Sequence, residues 1–518
     1  MHLFLALLLA TAPADTVDVL IAGGTVHDGT GAPGRVVDVG VRGDRVVFIG
    51  DAAAAAVVGR RRIDARGLIV TPGFIDPHTH SFEGLPNLSD DRRRNAGALM
   101  QGVTTVVLGA DGRGPIEVAR VLAESERRGV GTNTYALTGF GSVRSRVMGA
   151  SSAAATPAQI DSMRALVAAA MREGAFGVGS GLFYAPQSYA STEEVIAVLK
   201  GATPFGGVYD THQRDESSYS VGLLASVREA IRIGRETGLA TNLGHIKALG
   251  VDVWGYADSV LALMREARAQ GHRVTGDQYP WTASGTGLGA ALLPRWAQAG
   301  GRDSLRARVD DPPTRERILA EMRENLRRRG GDSTLLISGG GQSARPYVGK
   351  TLRQIAGERG MPAVETALDL IRNVGDMSVA SFNMTESDIE TFMKDPYVMT
   401  SSDGSGGHPR LFGTYPRKIR RYVLERGVLT MERMVQSASG QVAEVYGIPE
   451  RGFLREGYFA DVTVFDPRTI REEATYTEPE RLSTGVRWVL VNGQFAVDDG
   501  RPTGALAGRA LRKAVRTP

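Results

Sequence analysis

Apolar and polar positions follow two different periods along this chain, and the period depends on place. Near the N-terminus, Val17-Asp18-Val19-Leu20-Ile21 alternates and breaks at Gly23-Gly24, and residues 36–41 and 45–49 repeat that texture between Gly and Asp. Short alternating runs bounded by turn residues predict β-strands. The C-terminal part reads alike: 460–465 and 486–491 are predicted strands, followed by the hairpin signal Asn492-Gly493. The middle differs. Apolar runs at 74–76, 104–108, 132–137, 176–179, 207–209, 240–243, 274–277 and 398–400 are separated mostly by stretches of helical period, such as 157–173, 222–237 and 257–269. Eight strand–helix repeats predict an α/β chain whose residues 71–449 form a (β/α)8 TIM barrel, with its working face at the C-terminal strand ends. Residues 15–70 and 450–518 then predict one small β-sandwich built from both chain ends. The apolar runs 335–337 and 379–382 fall outside the count of barrel strands. Residues 293–341, with a charged helix over 313–329, read as an insertion expected to act as a lid.

Composition removes several alternatives. A chain of 518 residues with 42% hydrophobic and 23% charged residues is globular, neither disordered nor collagen-like. Lys and Arg exceed Asp and Glu by only 4, so the Arg runs at 60–62, 92–94 and 327–329 read as solvated surface and no nucleic-acid partner is expected. The absence of cysteine excludes disulfides, thiolate zinc sites and thiol nucleophiles. The apolar run 3–10 is too short to span a bilayer, so no stable membrane insertion is expected. Ala12-Pro13-Ala14 offers the small residues a signal peptidase reads. Residues 1–14 therefore predict a cleaved export signal and a periplasmic or secreted protein; without cleavage the chain stays cytoplasmic. No Gly-rich phosphate loop occurs, and Gly179-Ser180-Gly181 lacks the full nucleophile elbow, which disfavours nucleotide and Ser-nucleophile chemistry.

Of eight histidines, five stand at or just after predicted strand ends: His78, His80, His212, His245 and His408. His78 and His80 are two apart on an extended segment and so face the same way. Imidazoles at 78, 80, 212 and 245, from three strand ends, suit zinc or a similar borderline divalent ion. Asp403 follows the run 398–402. A carboxylate there can ligate metal, or take a proton from metal-activated water and pass it to a leaving amine.

Longer motifs surround these residues. They include Thr71-Pro72-Gly73-Phe74-Ile75-Asp76-Pro77-His78-Thr79-His80-Ser81, Gly179-Ser180-Gly181-Leu182-Phe183-Tyr184-Ala185-Pro186, Thr211-His212-Gln213-Arg214-Asp215-Glu216, His245-Ile246-Lys247, Asp277-Gln278-Tyr279-Pro280-Trp281, Ser402-Asp403-Gly404, and His408-Pro409-Arg410-Leu411-Phe412-Gly413. From about residue 17 onward the chain resembles the amidohydrolase superfamily and, in its later motifs, the N-acyl-D-amino-acid deacylase (D-aminoacylase) branch. The resemblance implies a metal-dependent hydrolase acting on a small N-acyl amino acid or dipeptide-like substrate. It implies that His212 and His245 hold a tight zinc, and that His78 and His80 hold a second, weaker metal position. Asp403 resembles the catalytic acid/base and a further ligand, and Tyr184 resembles the donor to the scissile carbonyl, assisted by His245. Lys247, Tyr279 and Arg410 resemble the clamp on the substrate α-carboxylate, a role two cations and a phenol suit chemically.

Two departures stand out. Where the family usually has Gly-Asn-Cys-Gly, this chain has Gly109-Ala110-Asp111-Gly112, so Asp111 takes the place of a thiolate ligand. A harder carboxylate there implies weaker or less selective zinc binding and easier exchange with other divalent ions. Ser284-Gly285-Thr286 also replaces the commoner Gly-Ser-Thr order. A dipeptidase or cyclic-amide hydrolase on the same scaffold stays open at this point, as does a non-catalytic homologue.

Overall fold

In the barrel, sequence period turns directly into topology. A computed structural model describes residues 15–514 apart from Pro86 and Asp376; the expected export signal, 1–14, lies outside the described residues. Parallel strands run in chain order: β1 (Phe74–Asp76), β2 (Val103–Leu108), β3 (Asn133–Ala136, resuming at Thr138–Gly139), β4 (Gly177–Gly181), β5 (Val208–His212), β6 (Ala240–Leu243), β7 (Val274–Gln278) and β8 (Val398–Thr400). The ring closes just beyond the strand ends. Asp403 N–H donates to the His78 carbonyl at 2.7 Å and His80 N–H donates to that of Gly404 at 2.8 Å. Closure therefore sets His78, His80 and Asp403 side by side. Gly177 is required where β4 meets β5, since a Cβ there would lie 2.0 Å from the Val208 carbonyl oxygen.

The outer helices follow from local chemistry. In Pro157–Arg172, Thr156 Oγ1 accepts from Gln159 N–H and Gln159 Oε1 accepts from Thr156 N–H, a capping box, with Pro at the first turn. Met163, Val167, Ala170 and Met171 then form one buried stripe, and each larger side chain in it contributes about 1.5–3 kcal/mol on burial.

A nine-stranded sheet unites the two chain ends. Ile69–Pro72 pairs antiparallel with Val462–Phe465, joining the N-terminal strands to the C-terminal ones. A buried polar knot ties this sheet to the root of β3. Asp461 pairs with Arg451, accepts from Asn492 N–H at 2.8 Å and accepts from Asn133 Nδ2 at 3.0 Å.

Between β7 and β8 the chain leaves the barrel and builds a second body. Ala283–Gly287, Met377–Phe382 and Leu335–Gly340 form an antiparallel sheet over a separate apolar core that includes Leu292, Ile318, Met322, Ile337 and Ile355. The insertion thus runs from about 283 to 382, wider than the expected 293–341, and it absorbs the two apolar runs that did not fit the barrel. The charged helix appears as Pro312–Arg328, capped by Asp311, whose carboxylate accepts from Thr314 N–H at 3.1 Å. Two arginines expected at the surface are buried instead: Arg93, which donates to the carbonyls of Arg128 and Gly129, and Arg329, which is 1% exposed. Among the described residues no helix is long and apolar enough to cross a membrane.

Candidate active site

The C-terminal ends of the strands gather the expected residues into one buried cluster. His78 and His80 follow β1, Asp111 follows β2, His212 ends β5, His245 follows β6 and Asp403 follows β8. Three of these sit in left-handed backbone that side chains other than glycine rarely adopt: Asp111 (φ 56°), His245 (φ 35°) and Asp403 (φ 46°). Such conformations persist where the surroundings impose them, and they concentrate at functional sites. Here the constraints are visible. Gln187 Nε2 donates to the Asp111 carbonyl at 2.9 Å, and His245 N–H donates to Asp277 Oδ1 at 2.8 Å.

Asp111 occupies the centre. Its Oδ1 lies 3.1 Å from His78 Nε2, 3.3 Å from His245 Nε2 and 3.6 Å from His212 Nδ1, while its Oδ2 lies 3.6 Å from His80 Nε2. His212 Nδ1 and His245 Nε2 are 2.8 Å apart. These last two nitrogens and Asp111 Oδ1 form a triangle of the size expected for ligands on one ion, since zinc bonds of about 2.0–2.1 Å place tetrahedral ligands roughly 3.3 Å apart. His80 Nε2 also lies 3.6 Å from Asp403 Oδ1, and His78, His80 and Asp403 form a second convergent group. The Asp111 carboxylate spans both groups.

The charges agree with that donor set. Burial opposes ionisation of Asp111, yet His212, His245 and His78 hold its carboxyl well below the ordinary range. Burial likewise opposes protonation of His78, but Asp111 raises it to about 10; Asp403 and Glu83 do the same for His80. A divalent ion would displace the protons that the carboxylates hold on these imidazoles, and what then remains, neutral imidazoles around a buried ionised carboxylate, is a donor set that fits such an ion.

The cavity above the cluster encloses about 510 Å³ and is walled partly by the insertion. Tyr184 faces it, with its hydroxyl 3.4 Å from Thr286 Oγ1 and its ring 4.7 Å from that of His212. Burial, then the charge of Asp111, keeps this phenol protonated. Lys247, Tyr279 and Arg410 converge as expected: the Tyr279 ring lies 5.7 Å from Lys247 Nζ and 4.7 Å from the Arg410 guanidinium. The Tyr279 hydroxyl is buried and has no hydrogen-bond partner.

Both cations of this group hold internal partners not expected from the sequence. Arg410 pairs with Asp403 at 2.8 Å, and Lys247 pairs with Glu216 at 2.7 Å. Burial opposes ionisation of Asp403, but Arg410, His245 and His80 hold it ionised. His408, the fifth strand-end histidine, lies outside the metal cluster. Its Nε2 contacts the Ala283 carbonyl at 3.1 Å and its Nδ1 accepts from Arg410 N–H at 3.1 Å. Burial and the charge of Arg410 keep it neutral, and its two contacts tie the Arg410 backbone to Ala283.

Several contributors were not singled out from the sequence. Glu216 lies 3.1 Å from His245 Nδ1 and 3.7 Å from His212 Nε2, behind both imidazoles. Such outer partners orient metal-binding histidines. Its signal was its place four residues after His212, at the end of the motif that begins at Thr211. Beneath His78, Asp210 Oδ2 accepts from Asn242 Nδ2 at 2.8 Å and from the Tyr446 hydroxyl at 2.7 Å. Asp76 accepts from Ser402 N–H at 3.0 Å, locking β1 to β8.

Comparison with known proteins shows the family. A model described as the amidohydrolase family matches residues 61–497. The chain is 32% identical to a D-aminoacylase of Alcaligenes xylosoxydans xylosoxydans, with 98% of this chain and 99% of that protein covered. It is 33% identical to an N-acyl-D-aspartate deacylase of the same organism, covering 96% and 95%. The crystal structure of an N-acyl-D-glutamate deacylase from Bordetella bronchiseptica, complexed with zinc and a phosphonate inhibitor, superposes with a TM-score of 0.80 at 31% identity, covering 96% of this chain and 100% of that one. The chain therefore belongs to the amidohydrolase family, alongside the D-aminoacylases and N-acyl-D-amino-acid deacylases.

Proposed function

We propose that this protein is a metal-dependent deacylase that hydrolyses the amide bond of N-acyl-D-amino acids to a carboxylate and the free D-amino acid. The observation that carries this reading is that one cavity is lined by Lys247, Tyr279 and Arg410, by Asp403, and by His80, Asp111 and His212, which supports reading them as α-carboxylate clamp, acid/base and metal ligands. His212, His245 and Asp111 would hold the tighter ion, zinc by preference, and His78, His80 and Asp403 with Asp111 a second, weaker position. A bound divalent ion supplies Lewis acidity, making water nucleophilic near neutral pH and polarising the amide carbonyl.

The remaining work falls to the chain's own side chains. Lys247, Tyr279 and Arg410 take the α-carboxylate and fix Cα relative to the cluster. Asp403, held ionised, accepts the proton of the attacking water and later delivers it to the departing amine nitrogen. Tyr184, held protonated, donates its hydroxyl hydrogen bond to the carbonyl oxygen as negative charge grows there, and His245 borders the same oxygen. With the carboxylate and amide both anchored, the substituent on Cα has one direction to take, so handedness becomes a geometric choice. Residues 1–14 support export of the mature protein.

Dialysis against a strong chelator should abolish amide hydrolysis. Stoichiometric zinc should restore it, and cobalt should restore it comparably, given the carboxylate at position 111. Full activity in protein shown by elemental analysis to be metal-free would contradict this reading.

A further inference from the structure

The cavity wall supplied by the insertion carries two guanidinium groups with no carboxylate in ion-pair contact among the described residues, the nearest acidic influence being that of Asp215 on Arg295. Arg329, at the C-terminal end of the helix Pro312–Arg328, lines the cavity and is 1% exposed. Its Nε donates to the Tyr219 hydroxyl at 2.6 Å, but its NH1 is buried with no hydrogen-bond partner. Arg295 lies on the same aromatic group, 3.8 Å from the Phe183 ring and 5.8 Å from that of Tyr219. Its NH1 donates to the carbonyls of Ala290 and Leu293, and its NH2 is buried and unpartnered. Among the described residues neither guanidinium forms an ion pair with a carboxylate. Burial, with the charge of Arg329 adding to it, lowers Arg295 to about 10.

Burying a guanidinium without a carboxylate is costly. A fold keeps such a group where an anion completes it, and the fork of Arg suits a carboxylate in particular. The substrate α-carboxylate already has Lys247, Tyr279 and Arg410. The open NH1 of Arg329 therefore calls for a second anionic group. Its place in the cavity says which part of the substrate carries it. Arg329 adjoins the loop that bears Lys247: the Val251 N–H donates to the Arg328 carbonyl at 3.0 Å, and Leu249 lines the cavity beside Lys247. That is the half of the cavity in which Lys247 would hold the α-carboxylate. The side chain hangs from the same Cα, whereas the acyl group lies across the scissile amide.

We propose that Arg329, supported by Arg295, is a specificity-determining site for a carboxylate on the substrate side chain, so that the preferred substrates are N-acyl derivatives of D-aspartate and D-glutamate. This rests on the deacylase reading above. The neighbouring wall is consistent with a polar substituent: Gln298, Ser338 and Ser378 line it from the insertion.

The test compares kcat/KM for N-acetyl-D-glutamate, N-acetyl-D-aspartate, N-acetyl-D-glutamine, N-acetyl-D-methionine and N-succinyl-D-methionine, using zinc-loaded enzyme. The acidic pair should exceed N-acetyl-D-glutamine by about 100-fold, because a site built to bind a group discriminates strongly against its absence. Arg329→Gln should reduce the glutamate-to-glutamine ratio by about 100-fold, and Arg329→Lys should recover part of it. Three results would overturn the inference alone: preference for methionine, preference for the succinylated substrate, or an equal fall on every substrate in Arg329→Gln, which would mark a structural role through Tyr219. Silence on all N-acyl-D-amino acids with metal bound would overturn the deacylase reading as well.

Discussion

Replacing Asp403 by asparagine is expected to lower kcat for amide hydrolysis by at least ~10³-fold while leaving KM within a few-fold. The substitution keeps shape and size and removes the one property the mechanism needs, a negative oxygen able to receive and return a proton. Its surroundings leave that oxygen without a proton at rest. Arg410 lies 2.8 Å from one carboxylate oxygen and His80 lies 3.6 Å from the other, and both favour the ionised form. The strained backbone at φ 46° aims the side chain into the cavity. Because Asp403 also belongs to the weaker metal group, metal content should be measured on the same preparation. An Asn variant that retains one tight ion and still turns over at near the wild-type rate would remove Asp403 from the proton-transfer role.

The second large effect is expected at Asp111. Asp111→Ala should lower zinc affinity by more than ~10²-fold, since even partners one step removed from a metal are worth 10–100-fold. Activity at limiting zinc should fall with it. The carboxylate stands within 3.1–3.6 Å of four imidazole nitrogens, and among the described residues no other carboxylate approaches all four. Its removal leaves no anion shared by all four histidines; Glu216 still backs His212 and His245. Asp111→Cys should retain the ion and shift preference toward zinc over cobalt and manganese, because thiolate is the softer ligand. Unchanged tight binding in Asp111→Ala, read by elemental analysis after gel filtration, would exclude Asp111 from the ligand set.

Much of this architecture was legible in the sequence, for a physical reason. Strand and helix periods are local signals, so all eight barrel strands and the helix Pro157–Arg172 could be placed from neighbouring residues alone. The barrel then brings strand-end residues together whatever their separation in sequence, so His78, His212, His245 and Asp403 were identifiable before any contact was known. What escaped depends on long-range pairing. Ala283–Gly287 and Met377–Phe382 form one ladder across the whole insertion, and Gly285 and Gly287 blur the alternating signal of the first strand. The pairing of Arg410 with Asp403 and of Lys247 with Glu216 likewise joins residues that sequence reading treated separately.

Charge runs misled in an instructive way. Arg92 and Arg94 are exposed while Arg93 between them is buried; Arg327 is exposed while Arg329 is buried. Adjacent residues in and at the end of a helix point in different directions, so one member of an Arg triplet turns inward even when its neighbours stay in water. Composition cannot distinguish these cases. The burial of Arg329 is what links the insertion to substrate choice.

The most direct test of the central claim is amine release from paired N-acetyl-D- and N-acetyl-L-amino acids, acidic and neutral, by the zinc-reconstituted protein. Turnover confined to the D series is the expected result. Turnover of the L series, or silence on both series with metal bound in the cluster, would contradict the account.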